Sequence, residues 1–312
     1  MGTRRWPAVT VVLAAALAAA CTGTPQAGDT SASATAPSTA SPATGQRLTT
    51  LLAAGDIASC ASNGDEQTAA LLDTLPGTVL TLGDIAYDDG STDQFGRCYL
   101  PSWGRFRDRT YPVPGNHDYH SAGANGYYGF FGPRAGQPGK GWYSFDLGRW
   151  HLVALNSNCD EVGGCQPGSE QERWLRADLA AHAKDRCVLA YWHEPRFSSG
   201  RHGNDKRFAA FWDDLYRAGA ELVLNGHDHD YERFAPQTPD GRADPDRGIR
   251  EFVVGTGGAN LRHFRAVEPN SEVRDNSSLG VLELDLQPRG YSWRFAAASG
   301  GSFSDSGSGT CH

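Results

Sequence analysis

Two short apolar runs in this chain end in the same four residues, Gly55-Asp56-Ile57-Ala58 and Gly83-Asp84-Ile85-Ala86, and only the second continues into a tyrosine, Tyr87. The pattern extends further. A Pro-Gly-Asn-His-Asp stretch supplies Asn116, His117 and Asp118, the run at 188–192 leads into His193 and Glu194, and the run at 222–224 leads into Asn-Gly-His-Asp-His with His227 and His229. Metal-compatible oxygen and imidazole donors thus follow five separate segments. Donors this far apart in sequence act together only if the segments are strands whose ends share one rim, where α/β folds gather their ligands. A lone Gly-Asp after a strand is an ordinary turn, and a lone Asn-His-Asp is usually solvated. Five in succession argue for a metal site.

The remaining pattern agrees with such a layout. Short β-favouring runs recur at 51–53, 79–82, 152–155, 188–192, 222–224 and 252–254, most of them ending in Gly, Asn, Asp or His. Helical spacing lies between several of them. Ser169-Glu170-Gln171-Glu172 reads as a capping box ahead of Trp174, Leu175 and Leu179, and Phe208, Phe211, Trp212, Leu215 and Tyr216 hold one helical face until Gly219. The tail at 279–295 alternates like antiparallel strands. The expected architecture is α/β: a two-sheet β-sandwich core flanked by helices, with the metal site at strand ends.

Not all 312 residues belong to that domain. Residues 1–20 carry Arg4 and Arg5, then an uncharged run of 13 residues at 8–20, too short for the roughly 20 that span a bilayer. This reads as a secretory signal, and Cys21 after two alanines reads as a lipoprotein acylation site that would hold the protein to the outer face of the membrane; plain secretion is the alternative. Residues 21–47 are almost wholly Ser, Thr, Ala, Pro and Gly, too polar to offset the entropy of ordering, and read as a flexible tether. The catalytic domain is expected at 48–312.

Removal of the signal takes away two arginines and no acids, which moves the net charge from −8 to −10. Such a surface argues against nucleic acid as a partner, because phosphate backbones are bound by clustered Lys and Arg. Apart from Cys21 the cysteines are Cys60, Cys98, Cys159, Cys165, Cys187 and Cys311, an even set that points to disulfides outside the cytoplasm. The six allow 15 connectivities; Cys159 and Cys165, which flank a Gly-Gly turn, make the most natural pair, and Cys60 with Cys98 and Cys187 with Cys311 are the expected remainder.

The order of the five blocks resembles the calcineurin-like metallophosphoesterase superfamily, and within it the purple acid phosphatases. The blocks appear here as Gly55-Asp56-Ile57-Ala58, Gly83-Asp84-Ile85-Ala86-Tyr87, Gly115-Asn116-His117-Asp118, Ala190-Tyr191-Trp192-His193 and Gly226-His227-Asp228-His229. Two positions depart, Ala58 where the family has Gly and Ala190 where it has Val, and neither supplies a ligand side chain. The resemblance implies a four-layer αββα fold and two metal ions. Asp56, Asp84, Tyr87 and His229 would hold the first ion, Asp84, Asn116, His193 and His227 the second, with Asp84 bridging.

Tyr87 answers to Ala58. The wider superfamily commonly places His at position 58 of the first block, and a tyrosinate three residues after the bridging carboxylate can take that place. An anionic hard oxygen there favours Fe(III), with divalent Fe, Zn or Mn at the other position. Three anionic donors against a trivalent and a divalent ion leave the pair positive, as a phosphate dianion requires. By the same resemblance His117 faces the substrate as stabiliser or proton donor, His202 is a second substrate-facing histidine, and Asp118 orients His117 or its loop. His120, Arg196 and Arg201 are weaker candidates for contact.

The implied function is hydrolysis of small phosphomonoesters by in-line attack of a metal-bound hydroxide. The alternatives are a phosphodiesterase or nucleotide-cleaving enzyme on the same scaffold, and a non-catalytic, metal-bearing binding protein, which the full set of ligands disfavours.

Overall fold

The structure, a computed structural model, describes Gly2 and residues 49–312. The expected signal at 1–20, the acylated Cys21 and the tether at 21–47 lie outside the described residues. Among the described residues no helix is long and apolar enough to cross a membrane.

Two sheets form the centre of the domain. The first has six strands in the order Ser306–Thr310, Gly290–Ala297, Gly280–Gln287, Thr49–Ala54, Thr78–Leu82 and Thr110–Val113. The second has seven, in the order Ser271–Asp275, Tyr231–Phe234, Arg250–Val254, Leu222–Asn225, Cys187–Tyr191, Trp150–Ala154 and Tyr143–Leu147. In the second sheet parallel pairing occupies the middle and antiparallel pairing the flanks, whereas in the first Thr49–Ala54, Thr78–Leu82 and Thr110–Val113 pair in parallel at one edge and the other strands pair antiparallel. The alternating tail at 279–295 forms the Gly280–Gln287 and Gly290–Ala297 hairpin, as its sequence pattern predicts.

The second sheet shows why its strands read as continuous apolar runs. Leu189, Tyr191, Leu222, Leu224, Phe252 and Val254 face the first sheet, whereas their alternates Val188, Ala190, Val223 and Val253 face the other way, into a cluster with Leu175, Leu179, Phe211, Trp212 and Leu215. Both faces are buried, so these strands are apolar over most of their length, with Asn225 and Glu251 the buried polar exceptions. The helices supplying that outer cluster are Glu170–His182 and Ala209–Arg217, close to the expected limits. Ser169 caps the first by accepting the Glu172 N–H, but Glu172 reaches back to the Gly168 N–H rather than to Ser169, so the capping box is not reciprocal.

Helix Gly64–Thr74 packs on the Gly280–Gln287 strand of the first sheet, completing a helix, sheet, sheet, helix stack. All three expected disulfides form: Cys60–Cys98, Cys159–Cys165 and Cys187–Cys311. The last joins the start of a central strand of the second sheet to the segment after the edge strand of the first.

The disulfides differ in the loops they close, 124 residues for Cys187–Cys311 against 6 for Cys159–Cys165. Chain entropy alone values the long loop at roughly 5 kcal/mol and the short one at roughly 2. The double variant Cys187→Ser/Cys311→Ser is therefore expected to lose about 3 kcal/mol more stability in urea titration than Cys159→Ser/Cys165→Ser. Equal losses would show that native-state effects outweigh loop closure.

Candidate metal centre

The repeated Gly-Asp-Ile-Ala segments lie side by side. Asp56 N–H donates to Gly83 O, Ile57 N–H to Asp84 O and Ala58 N–H to Ile85 O, at 3.0, 2.9 and 3.1 Å, and a short parallel ladder then pairs Ala58 with Ala86 and Ser59 with Tyr87. The same four residues thus follow the same path twice, leaving the ends of adjacent parallel strands. Asp56 and Asp84 both take left-handed backbone angles, φ 59° and 49°, and so does His227 at 71°. Such conformations cost free energy and persist where the surroundings enforce them, most often at functional sites. Gly83 and Gly115 make room for the turns: a Cβ at Gly83 would lie 2.6 Å from the His193 ring, and one at Gly115 would overlap the Asp84 carboxylate.

The side chains converge from both sheets. Tyr87 Oη lies 2.8 Å from Asp56 Oδ1, 3.0 Å from Asp84 Oδ2 and 3.1 Å from His229 Nε2. The other oxygen of Asp84, Oδ1, lies 3.3 Å from His193 Nε2, which is 3.2 Å from His227 Nδ1. One donor atom each from Asp84, His193 and His227 falls within a 4.8 Å group. Asn116 Oδ1 is buried and has no hydrogen-bond partner among the described residues, an arrangement that costs free energy unless a cation accepts its lone pairs.

The histidines are held in the tautomers a ligand needs. His193 Nδ1 lies 2.7 Å from Leu82 O and His229 Nδ1 lies 2.8 Å from Asn260 O, so each ring donates at Nδ1 and leaves the Nε2 lone pair for the centre. The electrostatics fit the same use. Burial alone would raise Asp56 and Asp84, but the adjacent histidines outweigh it and hold both below the ordinary carboxylate range. Burial disfavours a charged His193, yet Asp84 and Asp56 push it up to about 10. His227 falls to about 3 through burial and repulsion from His193 and His202. Burial and the two carboxylates raise Tyr87 well above a normal phenol. Two buried carboxylates stabilise whatever positive charge stands between them, proton or metal ion.

The remaining sequence-derived candidates separate clearly. His117 Nδ1 is 2.6 Å from Asp88 O, which leaves Nε2 free, 3.9 Å from Asp84 Oδ2, on a side chain 26% exposed. His202 stacks on His227 with centroids 4.0 Å apart, and its Nδ1 lies 2.9 Å from Asp228 Oδ1. Asp118 accepts the Gly115 N–H at 2.8 Å and the Ile85 N–H at 3.3 Å, so it fixes the loop and not the His117 ring. His120 sits farther out, on Asp88 O. Arg196 is buried over Phe197 and bonded to Pro239 O, and Arg201 is exposed; neither lines the centre.

Three residues at the rim were missed in the sequence. Asp228 holds His202 through both its ring and its backbone N–H, Asn260 orients His229, and Arg262 lines the hollow beside Tyr87. Asp228 stood between two histidines and could have been read as their neighbour's partner. Asn260 and Arg262 follow a Gly-rich turn with no donor pattern to mark them.

The model of the calcineurin-like phosphoesterase family matches residues 49–231. The chain belongs to that family. Purple acid phosphatase 21 of Arabidopsis thaliana is 31% identical over 234 residues, covering 68% of this chain and 52% of the relative. Acid phosphatase type 7 of Homo sapiens is 29% identical over 188 residues, covering 51% and 41%. The solved structure of purple acid phosphatase PPD1 from yellow lupin seeds shares the fold, with a TM-score of 0.63 at 18% identity over 84% of this chain and 53% of that one. The chain spans about half or less of the length of these curated relatives.

A metal ion entering this set competes with the His193 proton. Because the folded value, about 10, lies above the ordinary 6.5, that proton stabilises the fold fully below pH 6.5 and its contribution is lost as pH rises through 10. Affinity for a divalent ion is therefore expected to climb across this window, by up to about ten-fold per pH unit for each proton displaced. Titration calorimetry in buffers of different ionisation enthalpy measures the proton release. A pH-independent affinity would remove His193 from the donor set.

Proposed function

We propose that this protein is an extracytoplasmic dinuclear metal phosphatase that hydrolyses small phosphomonoesters. One observation carries the reading: the two oxygens of buried Asp84 face two different donor groups, Tyr87 with Asp56 and His229 on one side, His193 with His227 on the other. A carboxylate so placed is suited to bridge two ions. In this reading Asp56, Asp84, Tyr87 and His229 hold Fe(III), and Asp84, Asn116, His193 and His227 hold divalent Fe, Zn or Mn. The orphaned Asn116 oxygen and the two Nδ1-anchored histidines support the fit. Bound ions supply an activated water and a clamp on the phosphoryl oxygens.

The chain's own residues do the rest. His117 is anchored through Nδ1 on Asp88 O, so its Nε2 stands at the open face, placed to donate a hydrogen bond to the phosphoryl group and a proton to the departing alkoxide. His202 is held by Asp228 on the far side of His227, where it can donate to a second phosphoryl oxygen. Asp118 keeps Asn116 and His117 in register by pinning their loop. The three disulfides support a location outside the cytoplasm, with Cys21 as a lipid anchor the proposed membrane link.

The protein purified without added metal is expected to be coloured by a tyrosinate-to-iron absorption that disappears in Tyr87→Phe, with iron and a divalent metal found by elemental assay. A colourless but fully metallated protein would remove Tyr87 and Fe(III) from the proposal. His117→Ala is expected to keep its metal content and lose about 10²- to 10⁴-fold in kcat on 4-nitrophenyl phosphate. Wild-type protein that binds metal without turnover would favour a binding role.

A further inference from the structure

Two hollows flank the candidate centre, and they differ in charge. One, about 270 Å³, opens beside Asn116 and carries Asp160, Glu161 and Glu194; its guanidinium, Arg207, is already paired with Glu194 at 3.0 Å and Asp205 at 2.6 Å. The other, about 170 Å³, opens beside Tyr87, His117 and His229 and is walled by Ser59, Ser62, Asn260 and Arg262. Arg262 is fixed in place by its backbone: its N–H donates to His229 O at 2.9 Å and its carbonyl accepts from Asn276 Nδ2 at 3.0 Å. Arg262 is half-buried, and among the described residues its guanidinium has no hydrogen-bond or ion-pair partner. It lies close enough to His229 to oppose that ring's protonation. The one carboxylate on the same wall, Asp88, is exposed to solvent.

An unpaired arginine held at the edge of a phosphate-binding centre is a ready partner for a planar or tetrahedral anion, which it can bind through two parallel N–H bonds. The acidic hollow on the other side repels the same anion, so attraction and repulsion select one direction. We infer that the Arg262 hollow is the subsite for the organic part of the substrate, and that it selects phosphate esters whose organic part carries a second anion, a carboxylate or a further phosphate, next to the scissile group. Ser59, Ser62 and the Asn260 amide supply neutral hydrogen bonds around that anion. The inference rests on the phosphatase reading.

The test compares three substrates of the full metallated chain: glycerol phosphate, whose organic part is neutral, phosphoglycerate, which adds a carboxylate, and inorganic pyrophosphate, which adds a phosphate. Arg262→Gln is expected to lower kcat/KM about ten-fold or more for the two probes that carry a second anionic group and to leave glycerol phosphate within about two-fold, as loss of one charged hydrogen-bonded contact requires. Arg262→Lys is expected to keep part of the preference. A loss confined to phosphoglycerate or to pyrophosphate assigns the second anion to that class. An equal change for all three, or none, overturns the subsite. If wild-type protein turns over none of them, the phosphatase reading fails, and calorimetric binding then decides the subsite: phosphoglycerate held at least about ten-fold tighter than glycerol phosphate sustains it, and equal affinities overturn it.

Discussion

The Asp84 carboxylate is fully buried, with Tyr87 Oη on one oxygen and His193 Nε2 on the other, and a bare anion in that position would cost several kcal/mol. Neighbouring groups offset that cost. The His117 N–H donates to Oδ1 at 2.8 Å, and the imidazoles add positive charge. The left-handed turn at Asp84 keeps the carboxylate at the rim, and the Gly115 backbone lies so close beneath it that any side chain there would displace it. The same backbone strain recurs at Asp56 and His227, so three of the seven proposed ligands sit in conformations that only the surrounding fold maintains.

That enforcement comes from the pairing of sheets. Each central strand of the second sheet has one face against the first sheet and the other against helices Glu170–His182 and Ala209–Arg217, which locks its axial position. Its ends, and the donors that follow them, are then fixed relative to the ends of Thr49–Ala54 and Thr78–Leu82. The short Ala58 to Ala86 ladder carries this alignment past the sheet itself and positions Tyr87 over Asp56. A site of this kind requires little of its own loops because the two sheets have already set its dimensions.

Much of this was legible because it rests on period and punctuation. Runs buried on both faces read as continuous apolar strands, and donors after them mark one rim, where Asp56, Asp84, Tyr87, His193, His227 and His229 lie in contact with one another's neighbours and Asn116 precedes a backbone N–H bonded to Asp84. Of the cysteine pairs only Cys159–Cys165 was legible from its turn; Cys60–Cys98 and Cys187–Cys311 join segments 38 and 124 residues apart, which spacing alone leaves among several connectivities. What escaped is of a different kind. Glu172 bonds Gly168 rather than its own cap, a choice made by local geometry after the helix has formed. Asp228 serves His202 from a distant loop, and Arg262 enters the hollow only because its backbone is tied to His229. Such contacts depend on where loops pass in space, which periodicity does not encode.

The proposed ligand set divides by sheet in a way that bears on the metals. Loops following the first sheet supply oxygen, from Asp56, Asp84, Tyr87 and Asn116, and loops following the second supply nitrogen, from His193, His227 and His229. Ions held between the two groups would receive both kinds, in different ratios. Around Tyr87 Oη lie one oxygen each of Asp56 and Asp84 and the His229 imidazole, all within hydrogen-bonding distance of it; loss of the phenol proton to a bound ion would make three anionic oxygens and one imidazole. The position around His193 has the other Asp84 oxygen and two imidazoles, to which the proposed set adds the neutral amide of Asn116. Hard anionic oxygens favour a trivalent ion, and mixed nitrogen and oxygen donors suit a divalent one. Tyr87 tips this balance, because in its absence the first position would keep two carboxylates and an imidazole, a set that any divalent ion could satisfy. In the proposed reading, the tyrosine that distinguishes the second Gly-Asp-Ile-Ala copy from the first is thus the residue that would suit the first position to a trivalent ion.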